Sequence, residues 1–225
     1  MKRISMFILI FLFFLLLSSS QVNAETTTNS ATPTKTTLKD TMRENRQTIR
    51  EDLKTTIMQK REAAKEKFQT LRETFKKRLA ELKDERKKAL VARIDEKMAA
   101  INKRRTDQMA AALEKLNDIL GRIENKASDS ATVDSAIQAA HDAIATAQAA
   151  VVAQAGKEYI ITIGDETGVK NAVGQVMSQL QKDLRDTHKL VVDAKQAVMK
   201  AAKELAKTVG THKLNKDNTA TGEAE

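Results

Sequence analysis

The chain has 225 residues and a formal net charge of +9, with 41% hydrophobic and 31% charged residues, no cysteine, no tryptophan and one tyrosine. Much of the hydrophobic share is alanine, which leaves little bulky apolar material for a large globular core and reads as long helix or coiled coil. The lack of cysteine excludes disulfides, thiolate metal sites, a cysteine nucleophile and a lipid-modified cysteine.

In chain order, Met1-Lys2-Arg3 is a positive head, Phe7 to Leu17 is unbroken apolar sequence, and Val22-Asn23-Ala24 is a small-x-small site. Residues 1–24 therefore read as a secretory signal peptide cleaved after Ala24, its apolar run being well short of the ~20 residues a spanning helix needs. The expected location is outside the cytoplasm: periplasmic, cell-surface or extracellular. Residues 25–37 hold seven threonines and the lone Pro33 and read as a flexible linker. Thr37 before Leu38, with Asp40 following, is an acceptable helix start.

From Leu38 to Leu120 the sequence contains neither glycine nor proline. Apolar residues recur there at steps of three and four, a helical period, and no breaker interrupts them. The reading is one continuous helix of about 120 Å at about 1.5 Å per residue. Phe68, Leu79, Leu90, Ile101, Ala112 and Ile123 repeat every eleven residues, as do Met98, Met109 and Leu120. That spacing predicts a nearly straight or slightly right-handed seam. Arg86, Lys97 and Arg105 interrupt the stripe where apolar residues are expected. Residues 38–93 are expected to form a basic coiled-coil stalk whose seam, Leu53, Ile57, Phe68, Leu71, Phe75, Leu79, Leu82 and Leu90, has no cover within the chain. It calls for self-association into a homo-oligomer or for another helical protein.

Residues 94–210 read as a bundle of helices at about 94–125, 131–155 and 168–209. The second is alanine-rich, with Val133, Ile137, Ala140, Ile144, Ala147 and Val151 on one face and Gly156 placed to stop it. Between the last two helices, Tyr159, Ile160, Ile161 and Ile163 predict an extended connector that caps the open end of a bundle. Residues 211–225 are polar and read as a disordered tail. The predicted fold class is all-α: a long N-terminal coiled-coil-like helix running into an up-down-up three-helix bundle.

Charge is unevenly placed. Residues 35–105 carry 23 Lys/Arg against 12 Asp/Glu, whereas 106–225 carry 14 against 17. Lys76, Lys77, Arg78, Arg86, Lys87, Lys88, Lys103, Arg104 and Arg105 are the candidate contacts to an anionic envelope polymer or lipid surface.

The chemistry of an enzyme is not visible. His141, His188 and His212 lack metal-ligand spacing, Gly164-Asp-Glu-Thr-Gly168 lacks the lysine of a phosphate loop, and no serine sits in a nucleophile elbow. The expectation is no enzyme, no cofactor, no metal, no small-molecule substrate and no sequence-specific nucleic-acid partner, since aromatics for base stacking are few. The leader, the charged helix and the alanine-rich helix closing on Ala-Val-Val-Ala-Gln-Ala-Gly-Lys-Glu-Tyr resemble exported helical proteins of bacteria with reduced genomes. The basic, extended design is also similar to the OmpH-type periplasmic chaperones. The first resemblance implies no particular activity. The second implies a holdase for unfolded exported proteins, the alternative to a scaffold that contacts anionic surface.

Overall fold

The computed structural model describes residues 35–127 and 130–219, with side chains for Glu44, 47–127 and 130–209. The leader and nearly all of the threonine-rich linker lie outside the described residues. Every element among the described residues is an α-helix: α1 (Lys35–Glu81), α2 (Glu85–Glu124), α3 (Ala131–Ala155) and α4 (Val169–Thr219). Helix α1 thus begins ahead of the Thr37 cap expected from sequence. The last helix runs through Gly210 to Thr219, into the stretch read as a disordered tail.

The largest correction concerns the continuous helix. It stops at Glu81 and restarts at Glu85, and α1 folds back along α2. The turn needs neither glycine nor proline because no residue in it takes a positive φ. Asp84 is extended, with φ −82° and ψ 106°, and its side chain accepts from the Arg86 and Lys87 N–H groups at 2.9 and 3.1 Å. That is an aspartate N-cap, worth about 1 kcal/mol, with Glu85 adding a favourable charge in the first turn. Leu82 is buried beneath the turn.

Three ionic contacts across the hairpin are placed nearly symmetrically about residues 82–84, as antiparallel neighbours require. Arg72 meets Asp95 at 2.6 Å, Arg61 meets Asp107 at 2.8 Å, and Arg50 meets Glu114 at 3.1 Å. Excess base on α1 is therefore matched in part by acid on α2. Helix α3 then runs back toward the turn and ends at Gly156, which caps it as expected. A Cβ on Gly156 would lie 3.5 Å from the Lys60 carbonyl, so the end of α3 abuts α1.

The connector continues in the direction of α3. Its start is tied to α2 where the Asn102 side chain donates to the Lys157 carbonyl, and its far end where the Asp84 N–H donates to Glu166. The nine residues 157–165, at about 3.3 Å each when extended, cover about 30 Å, matching the roughly 26 Å of α2 between Asn102 and Glu85. Burial alternates along it: Tyr159, Ile161 and Ile163 are inside, Thr162 and Gly164 outside. The extended segment takes the place of a fourth helix beside α1, α2 and α4.

Two cores result. The one distal to the α1–α2 turn joins all four helices, with Ile57, Leu113, Leu120, Val133, Ala147, Val151 and Val198 among its members. The one near the turn joins Phe75, Leu82, Val91, Met98 and Leu180 with the connector residues Tyr159, Ile161 and Ile163. The seam assigned to self-association is largely consumed here. Leu53, Ile57, Phe75 and Leu82 are buried within the chain, Phe68 and Leu79 are half-buried, and only Leu71 and Leu90 remain exposed. The uncovered edge that called for a second copy is covered by the chain itself.

Candidate functional site

Between the two cores lies a polar layer. Asn102 and Thr106 of α2 occupy core positions, as do Gln154 of α3 and Thr187 of α4. The Asn102 amide donates to the Gln154 carbonyl at 3.2 Å, so it caps the end of α3 from outside. Gln154 Nε2 donates to Asn102 Oδ1 and to the Tyr159 hydroxyl, which in turn donates to Asp183 at 2.8 Å. Burial is the main force on Tyr159, and it pushes the phenol well above its usual pKa, against Gln154 and with Asp183. Burial also opposes ionisation of Asp183, but Lys157 and Tyr159 outweigh it and hold the carboxyl below the usual range. A phenol held neutral beside a paired carboxylate is no activated nucleophile. The layer fixes helix register, with Gln154 Oε1 left as an unpartnered buried oxygen.

Nearer the turn, Arg72 clasps α1 to both α2 and the connector. Its Nη1 donates to both Asp95 oxygens, at 2.7 and 2.6 Å, and its Nε and Nη2 both donate to one Glu158 oxygen, at 3.1 and 2.6 Å. Burial works against the guanidinium charge, yet Glu158 and Asp95 more than offset it and raise its pKa. For Asp95 burial prevails over Arg72, and with Glu158 and Glu96 adding nearby negative charge its pKa is raised. Two carboxylates share one cation.

The two surface features with binding character are the basic end of the hairpin and a groove. Around the turn, Arg78 pairs with Glu81, Lys88 with Glu85, and Lys87 with Glu166. Lys76, Lys77, Lys83, Arg86 and Arg93 are exposed and take no ion-pair partner among the described residues, and Leu90 beside them is 55% exposed. Sequence reading missed Lys83 and Arg93, because only the fold-back brings both flanks of the turn to one end. It also grouped in Lys103, Arg104 and Arg105, which lie about 30 Å down α2 from the turn. Of these, Lys103 is engaged by Asp107 and Arg105 stands on the groove.

The groove runs between α2 and α4 with a volume of about 720 Å³. Met98, Met109, Leu180 and Val191 form its buried floor, and Ile94, Ile101, Met177 and Leu184 its walls. Lys97, Arg105 and Arg185 lie on its rim, and no acidic residue lines it. Two of the three residues that interrupt the apolar stripe in the sequence, Lys97 and Arg105, are thus groove residues. His188 lines the same groove, while His141 contacts Glu124.

Among the described residues there is no cluster of His, Asp or Glu able to hold a metal ion, and no helix long and apolar enough to cross a membrane. No family model, curated protein or solved structure matches the chain.

Proposed function

We propose that the protein is a non-enzymatic, exported interaction protein whose α1–α2 hairpin rests its basic end on an anionic envelope surface. The observation that carries this reading is the set of exposed, unpaired cations at the turn, Lys76, Lys77, Lys83, Arg86 and Arg93, with Leu90 exposed among them. Each cation near an anionic bilayer contributes about 1 kcal/mol, and the attraction decays within a Debye length of about 8–10 Å. The leader-like residues 1–24 support delivery outside the cytoplasm.

The holdase reading rests on a basic, extended design that would cradle clients between cationic helices. With α1 folded back along α2 the design is not extended, and the surface reading has the stronger support.

Cosedimentation of the full chain with vesicles containing anionic lipid tests it. Binding is expected to fall steeply with added salt, and the triple change Lys76→Glu, Lys77→Glu, Arg86→Glu to weaken it by roughly 3 kcal/mol or more, about a hundredfold. Binding that is indifferent to salt and to the triple change would refute the reading. Suppression of aggregation of a denatured client at sub-stoichiometric protein would favour the holdase instead.

A further inference from the structure

The α2–α4 groove has a shape and a charge pattern that select an occupant. It extends from Ile94 to Ala112 along α2, about 27 Å at 1.5 Å per residue. Its volume of about 720 Å³ is spread along that length, so it is a long trough, and one extended hydrocarbon chain can lie along it.

The lining suits such a chain. Met98, Met109 and Met177 are unbranched and polarisable, and adapt to an irregular apolar guest. The volume falls in the usual range for small-molecule sites, about 300–1,000 Å³. The charged groups along it, Lys97, Arg105 and Arg185, are all cationic.

Their placement along the groove is set by the fold. Both α2 and α4 start at the end where the Asp84 N–H bonds Glu166, and both run away from it, so they are parallel. Leu180 shares a core with Met98, and Val191 shares the other core with Met109. A residue on α2 therefore lies about level with the residue some 82 positions later on α4. On that register Arg105 and Arg185 face each other across the groove within about one helical turn, with His188 at the same level. Neither arginine has an ion-pair partner among the described residues, and Arg105 makes a long hydrogen bond to Gln108, at 3.5 Å. Two unpaired guanidiniums over an apolar trough form a forked site for a carboxylate. From that level the trough runs toward the turn past Ile101, Met98 and Ile94.

We propose that the groove binds one long-chain carboxylate of fatty-acid type, its head between Arg105 and Arg185 and its chain along Met98, Ile101, Met177 and Leu180. This site is separate from the basic hairpin end and does not depend on it.

Calorimetric titration of the full chain with palmitate, below its aggregation concentration, tests the proposal. One palmitate per chain is expected. Hexadecyltrimethylammonium, with the same chain and the opposite charge, is expected to bind at least tenfold more weakly. Arg105→Glu with Arg185→Glu should weaken palmitate at least tenfold while helicity and melting are unchanged, and Arg105→Gln with Arg185→Gln should do so to a lesser degree. Ile101→Glu should weaken it through the trough. Lys76→Glu with Lys77→Glu should leave it unchanged, which separates this site from surface binding. Uptake of many palmitates per chain, equal binding of the cationic amphiphile, or indifference to the arginine changes would overturn the proposal. So would an acidic amphipathic peptide that binds at Arg105 and Arg185 while palmitate fails to bind.

Discussion

Replacing Ile57 with alanine is expected to lower the unfolding free energy by about 2–5 kcal/mol, while Leu71→Ala changes it by less than about 0.5 kcal/mol. Both residues belong to the same apolar stripe of α1, and by sequence pattern they are equivalent. In the fold they are not. Ile57 is 4% exposed, inside the core shared with α2, α3 and α4, whereas Leu71 is 54% exposed. Truncating Ile57 removes transfer free energy and leaves a cavity that four packed elements can fill only in part. Truncating Leu71 removes atoms that already face water. Urea unfolding followed by helical circular dichroism, at two protein concentrations, provides the check. The difference should be the same at both, because the cover for Ile57 comes from within the chain.

Arg72→Ala ranks second, with an expected loss of roughly 2–3 kcal/mol at neutral pH. The change removes the cation that bridges Asp95 and Glu158, and strands two partly buried carboxylates near one another. The figure is set below that of a fully buried pair because all three side chains keep some solvent contact. The pH dependence has a definite sign. Asp95 already has a raised pKa in the folded chain, chiefly through burial, and loss of Arg72 raises it further. A carboxyl with a raised folded-state pKa favours folding below its unfolded pKa, and that contribution is lost as pH rises through the folded value. The penalty of Arg72→Ala should therefore shrink on acidification into the carboxylate range and be largest near neutrality. A penalty that grows on acidification over that range would contradict the clasp.

How much of this was legible beforehand follows from where each signal lives. The all-helical class shows in the three-and-four spacing, and the end of α3 in Gly156. That the connector covers a core shows in Tyr159, Ile161 and Ile163, but its run alongside α2, rather than over an open bundle end, does not. The break at 82–84 did not show, because the rule applied was that only glycine or proline interrupts a helix. A turn with negative φ throughout needs neither, and Asp84-Glu85 carried the restart signal as an N-cap followed by an acidic first turn. Missing that one cap turned a self-covering hairpin into a rod in search of a partner. Asn102 and Thr106 were passed over because hydrophobic pattern assigns core positions to apolar residues, whereas these two are buried through bonds to Gln154 and Arg61. The groove is harder still to read. Its two walls are about 80 residues apart in sequence, and its rim was visible only as the odd placement of Lys97 and Arg105 within an apolar stripe.

The hairpin itself is open to a direct distance measurement. Spin labels at Lys54→Cys and Lys115→Cys, both exposed positions in a chain without native cysteine, sit nearly level on adjacent antiparallel helices. Helix axes at about 8–10 Å place such labels within about 30 Å of one another. A helix continuous through residues 82–84 would hold them about 90 Å apart. A short distance in dilute, singly dispersed protein is the expected result. A distance near 90 Å would contradict the account.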